Sequence, residues 1–185
     1  AAEATIKDNL EKRRRSQCTR IAALGRDITP IVKLYEKEGK ELEFVINDIL
    51  KKPFITLDCQ PVTHQNDGDP DHLLYDSEGR VFAIQTTARD KKNVAMKKAT
   101  TVIGQSAKYK PVGYIVIGRP DFEKLAIKNA TDQNAAGYNY KLLPISALAE
   151  MIVLFHEKKL TTPDVEKILI DWLGYITIDR ITELL

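Results

Sequence analysis

Four acidic residues, Asp67, Asp69, Asp71 and Glu78, stand at relative positions 1, 3, 5 and 12, the spacing of oxygen donors in a helix–loop–helix calcium site. The sixth position of such a loop needs glycine for its sharp turn, and here it is His72. The flanks read as non-helical before Asp67 and as strand after Glu78, so that site is set aside. The stretch GDPDHLLYDSEGRVFAIQTTARDKK (68–92) supports a different use of oxygen. Asp71 opens one short apolar run, and Gln85, Thr86 and Thr87 close the next. A carboxylate on one strand of a hairpin and polar groups on its neighbour can converge at a sheet edge around a divalent cation. Oxygen donors suit Mg²⁺, which can activate water and steady a leaving oxygen in phosphodiester chemistry. The basic run ARDKKNVAMKK follows directly, so Arg89, Lys91, Lys92, Lys97 and Lys98 fall beside the metal end of that strand. Lysine is a flexible point charge, suited to phosphate rather than base edges.

The elements that must position these residues follow from periodicity. Residues 3 to 24 read as a charged helix ending at Gly25. After Pro30, apolar residues at Ile31, Leu34, Tyr35, Leu42, Val45, Ile46, Ile49 and Leu50 have helical spacing, divided at Gly39 and stopped by Pro53. FITLDCQPV, DHLLYD and RVFAIQTT read as strands, with SEG as a turn. A helix from about Asn93 to Lys110 leads to a buried strand, Tyr114 to Ile117. Strand, helix and buried strand make a βαβ unit with parallel neighbours. YKLLPI is a further strand, followed by a helix from Ser146 to Lys158. A helix capped by Thr162, with Pro163 in its first turn and Glu166 a turn later, comes next. YITIDRITELL closes the chain as a short strand or turn into a helix. The expectation is one α/β domain with a mixed central sheet.

Composition agrees. The 185 residues are enough for one sizeable core, and 43% hydrophobic with 29% charged residues excludes a disordered chain. Net charge is only +2, but KRRR (Lys12 to Arg15) and the run from Ala88 to Lys98 concentrate positive charge locally. Each run also reads as a solvated helix face. Cys18 and Cys59 are far apart, and His64, His72 and His156 are scattered, so neither a disulfide framework nor a metal cage is indicated. No apolar run is long enough to span a bilayer, and a cytoplasmic, reduced setting is expected. The start without methionine fits a processed chain or a piece of a longer protein.

PDHLLYDSEGRVFAIQTT resembles the signature of the PD-(D/E)xK nuclease superfamily, in which Pro-Asp opens one strand and an acid-x-Lys closes the next. The resemblance extends to the cleavage domains of FokI-type and AlwI-type restriction endonucleases and to the Mrr-like group, whose motif is Gln-x-Lys. ELEFVIND resembles the preceding helix with an inward acid, and IGQSAKY the glutamine-bearing helix that follows. LLPISALAEMIVLFHEKKLTTPDVEKIL resembles the C-terminal strand, helix and capped helix. The resemblance implies a restriction-endonuclease-like α/β domain, a three-layer fold with a central mixed sheet flanked by helices. The resemblance covers most of 41–170, the nuclease-like core of an expected single domain over 1–185 with a helical N-terminal extension over 1–30. It implies Mg²⁺ (or Mn²⁺) as cofactor, held by Glu43, Asp71, Gln85 and the Thr86 carbonyl. Asp71, Gln85, Thr87 and Lys91 are the implied catalytic positions, and Arg89, Lys91, Lys92, Lys97 and Lys98 the implied DNA contacts.

Thr87 stands where the family has lysine, and threonine carries no positive charge. Either another basic residue among Arg89, Lys91, Lys92 and Lys97 takes the role, or cleavage is lost. Two functions therefore follow: a metal-dependent DNA endonuclease, or a nuclease-like DNA-binding or assembly subunit. Double-strand cleavage by one small domain would call for a homodimer or partner subunit. The plainer readings are that Asp71 caps a turn, Gln85 and the threonines satisfy strand-end backbone, and Glu43 faces solvent. His156 and Trp172 read as packing residues.

Overall fold

The computed structural model describes residues 2–62, 69–89 and 91–185; Asp67 and His64 lie outside them. Two-sided burial organises the chain. Strand β3 (Val81–Ala88), β4 (Gly113–Arg119) and β5 (Tyr140–Pro144) are the centre of a six-stranded sheet, and every residue of β4 and β5 is buried. Such continuous apolar runs belong to parallel strands covered on both faces. The order is sequential: β1 (Asp58–Pro61), β2 (His72–Tyr75) and β3 pair antiparallel, whereas β4, β5 and the two-residue β6 (Gly174–Tyr175) continue parallel. The β2–β3 hairpin turns at Gly79, whose φ of 80° suits glycine. Asp76 holds the turn by accepting from the Glu78 and Arg80 N–H groups.

One face is covered by α1 (Ala2–Ala23), α2 (Thr29–Glu36), α3 (Gly39–Ile49), α6 (Ile145–His156), α7 (Thr162–Asp171) and α8 (Ile178–Thr182). The other carries α4 (Met96–Gln105) and α5 (Lys124–Ala135). Helix α3 forms because Leu42, Val45 and Ile46 give it one apolar stripe. Helix α6 is apolar almost all round, as a helix sandwiched between the sheet and α1 must be. Against it α1 is clamped by Arg20, 2.7 Å from both Glu150 and Glu157, and by Gln17, which donates to the Ser146 carbonyl.

The sequence reading needs three corrections. Residues 124–135 form a helix that it left unassigned, because only Ala126 and Ala130 are buried and the apolar stripe is thin. The β4–β5 crossover requires such a connection, since parallel strands cannot be joined by a tight turn. The helix after β3 is shorter than expected, starting at Met96 because Val94 is held in a bridge with Phe122. The cap of α7 is Thr161, in a reciprocal box with Asp164. Glu166 instead accepts from the Thr56 N–H and hydroxyl and from the Leu57 N–H.

Lys141 is out of place among these apolar contacts. It is 1% exposed on β5, donates to Asn139 Oδ1 at 3.0 Å and lies over the Phe82 ring. Burial lowers its pKa from 10.5 to about 7. Below about pH 10.5 the unfolded chain holds a proton that the folded chain resists, so the penalty grows as pH falls and levels off near pH 7. Lys141→Met should therefore stabilise the protein by on the order of a few kcal/mol at pH 7. Urea melts across pH check this: the gain should vanish above the unfolded lysine pKa, and a pH-independent difference would disprove it.

Candidate active site

The pleat of β3 decides which side chains can meet. Phe82, Ile84 and Ala88 pack into the core under α1, α3 and α6, whereas Ala83 packs under α4 and α5. Pairing with β4 runs without interruption from Phe82↔Gly113 to Ala88↔Arg119, so no bulge resets the alternation. Thr86 therefore faces the α3 layer, and Gln85 and Thr87 face the α4 layer. This corrects the expectation that Asp71 and Gln85 converge. Gln85 Oε1 is buried without a hydrogen-bond partner, and Thr87 is buried, 7% exposed.

What does meet on the α3 side is a pair of carboxylates. Asp71 lies just before β2, and its Oδ2 accepts from the Thr86 N–H at 2.7 Å and the Thr86 hydroxyl at 3.0 Å. Helix α3 brings Glu43 beside it, close enough for the Asp71 charge to raise the Glu43 pKa. His72 fixes the distance between the helix and the strand. It is fully buried, and its Nε2 lies 3.1 Å from the Glu43 carbonyl, an acceptor that places the ring proton on Nε2. Burial pushes the His72 pKa down, so the ring is neutral. Lys40, one turn before Glu43, places its Nζ 3.5 Å from Glu43 Oε1. The sequence reading missed Lys40; its signal was the i, i+3 spacing from Glu43.

The remaining sequence candidates are dispersed. Arg89 continues along β4, donating its N–H to the Arg119 carbonyl and its Nη1 to the Asn93 carbonyl. Lys91 and Lys92 are exposed in the connection before Val94, and Lys97 and Lys98 are exposed on α4. Lys91 makes no hydrogen bond or ion pair with the carboxylates among the described residues. Asp69 is paired with Lys108 at 2.7 Å, and Glu78 lies out by Arg80, so the acidic cluster of the sequence does not form one site.

The donor set fits a hard divalent cation of the kind that keeps much of its water. Glu43 and Asp71 supply two carboxylates, and the Thr86 carbonyl points the same way as its N–H, toward Asp71 beyond the end of β2. Mg²⁺ is commonly bound by one or two carboxylates with several waters retained. Among the described residues no three His, Cys, Asp or Glu side chains gather in a group that could hold a metal ion.

No family model and no curated protein matches the chain. Among solved structures it is similar to restriction endonuclease FokI, with a TM-score of 0.58 at 10% identity. The fold is restriction-endonuclease-like. The likeness covers 82% of this chain but only 31% of the FokI chain, so the chain spans about a third of that enzyme's length. Among the described residues no helix is long and apolar enough to cross a membrane.

The Glu43 carboxyl is held above its ordinary value, first by burial and then by the Asp71 charge, with Lys40 opposing. A folded-state pKa above 4.5 means that the folded protein binds its proton more tightly than the unfolded chain does. Stability is lost as pH rises through that window, and the penalty persists at neutral pH. Glu43→Gln should accordingly melt higher than the wild type at pH 7 and equally below the unfolded glutamate pKa. The groups facing Glu43 are Asp71, Lys40 and His72, and thermal melts across pH should show this crossover; a constant offset would remove the assignment.

Proposed function

We propose that this domain hydrolyses phosphodiester bonds in DNA with the help of Mg²⁺ or Mn²⁺. The observation that carries the reading is that α3 sets Glu43 beside Asp71 at the end of the sheet, where Thr86 locks one Asp71 oxygen. Two carboxylates kept together at a cost in stability indicate a site that waits for positive charge. The fold's likeness to a restriction endonuclease supports the same chemistry. A bound Mg²⁺ would offset the charge of the carboxylates and help a water lose its proton, so that it could attack phosphorus as the P–O bond to the leaving oxygen breaks. The chain's own residues orient the reactants. Glu43, Asp71 and the Thr86 carbonyl are the donors, and the Thr86 hydroxyl and N–H lock one oxygen of Asp71, leaving the other for the ion. His72 keeps the Glu43 turn at its distance from β2. Positive charge for the scissile phosphate comes from Lys40, since Thr87 can neither carry charge nor face the carboxylates.

A second reading has its own observation: with Gln85 and Thr87 turned toward α4, the strand end lacks the second acid and the lysine of a cleaving site. On that reading the domain binds DNA, alone or within an assembly, without cutting it. Conversion of supercoiled plasmid in Mg²⁺ or Mn²⁺ separates the two. The wild type should nick or linearise it, and Asp71→Ala and Glu43→Ala should slow cutting at least ~100-fold, the loss expected when several kcal/mol of charge stabilisation go. Lys40→Met should lower kcat, with partial rescue in Lys40→Arg, while Gln85→Ala stays near the wild-type rate. Cutting by Asp71→Ala at the wild-type rate, or no cutting by the wild type with either ion, would leave the binding reading.

A further inference from the structure

The two basic runs of the sequence, about 75 residues apart, are brought to one end of the molecule. Helix α1 crosses the carboxyl ends of the parallel strands. Its Arg13 lines a cavity of about 350 Å³ together with Asn93, which follows β3, Asp121, which follows β4, and Ser146, which follows β5. Asn93 is also where the second run is anchored. Its carbonyl accepts from Arg89, and the adjoining Val94 is pinned by its N–H to the Asp121 carbonyl and by the Glu123 N–H to its own. Arg89 is fixed from the other side by its N–H on the Arg119 carbonyl. The connection carrying Lys91 and Lys92 is therefore tied at both ends beside Arg13.

Among the described residues, charge at this end is not internally balanced. Arg14 is taken by Glu11 and Glu36, but no carboxylate among the described residues pairs with Lys12, Arg13, Arg15, Lys91 or Lys92, and all five are exposed. Asp121 is the acid in the cavity, and both its oxygens already accept from the Tyr175 hydroxyl. The orientation of α1 is rigid, because Gln17, one turn beyond Arg13, is bonded to Ser146, Glu150 and Tyr35. Thr86, which holds Asp71, is two residues from the end of β3, so this surface begins where the carboxylates end.

We infer that the turn of α1 carrying Lys12 and Arg13 and the connection after β3 form one surface that grips the backbone of duplex DNA beyond the carboxylates, with Arg13 at its centre. The inference rests on the proposed nuclease reading and deepens it by naming where the rest of the duplex lies. Fixed, unpaired cations on a rigid helix neutralise phosphates without selecting sequence, and each phosphate neutralised releases counterions.

The test is fluorescence anisotropy of a labelled duplex of arbitrary sequence, in EDTA and over a range of salt, so that cleavage plays no part. Variants are Lys12 and Arg13 changed together to Ala, Lys91 and Lys92 changed together to Ala, and both sets combined. The α1 variant should bind every sequence more weakly and reduce the slope of log K against log salt by roughly one unit for each phosphate that is no longer neutralised. The combined variant should show the sum. Circular dichroism melts should match the wild type, since the side chains are exposed. Wild-type affinity and slope in the α1 variant would overturn the inference, as would a loss confined to anionic phospholipid vesicles. Asp71→Ala should bind DNA in EDTA at least as tightly as the wild type, since a carboxylate without its cation repels phosphate; a failure of cutting alone therefore leaves this surface standing, and a failure of the α1 variant to weaken binding leaves the cleavage reading standing.

Discussion

The hydrogen-bond pair that Thr86 gives to Asp71 depends on the pleat of β3, and much of the molecule is arranged around that strand. An unbulged strand in the middle of a two-faced sheet must send successive side chains into different layers. Its even-numbered residues pack under α3 and α6, and its odd-numbered residues under α4. Any chemistry at the strand end is thereby divided between two sides of the sheet. On the α3 side Thr86 secures Asp71, and the helix supplies Glu43 and Lys40. On the α4 side Gln85 is left with a buried, unpartnered oxygen and Thr87 is enclosed.

The second organising feature is the polar seam between α1 and α6. Glu150 is 5% exposed, and it is tolerated because Arg20 and Gln17 both donate to it. Removing one partner from such a buried group leaves an uncompensated charge, which costs far more than the intact pair contributes. The seam fixes the angle of α1 and so carries its exposed basic turn across the strand ends. A helix that is charged nearly all round acquires a definite position through three polar side chains and Ile21.

Several groups are held where they are costly. Glu43 is kept beside another carboxylate, Lys141 is desolvated within β5, and His72 leaves Nδ1 buried and unpartnered. The Glu43 cost lies at the candidate site, where a bound cation would relieve it. The Lys141 cost lies two strands away, level with Ile84 through Ile115, under apolar cover.

Periodicity and runs of apolar residues placed the helix-rich first third, strands in DHLLYD, RVFAIQTT, Tyr114 to Ile117 and YKLLPI, and the parallel βαβ unit, because burial on one or both faces writes itself directly into the spacing of apolar residues. Asp71 and Glu43 were legible as site candidates from their resemblance to a known motif, and the basic runs from composition. Helix α5 was not legible, since two buried alanines leave almost no amphipathic signal. Nor was Lys40, which matters only because α3 is docked so that Glu43 meets Asp71. Gln85 and Thr87 were adjacent to the site in sequence but belong to the other face. Adjacency along a strand says nothing of which layer a side chain enters; the docking of α3 and α4 on opposite faces decides it. The meeting of Arg13 with Asn93 was likewise decided by tertiary structure, because charge has no period that records which distant segment it will face.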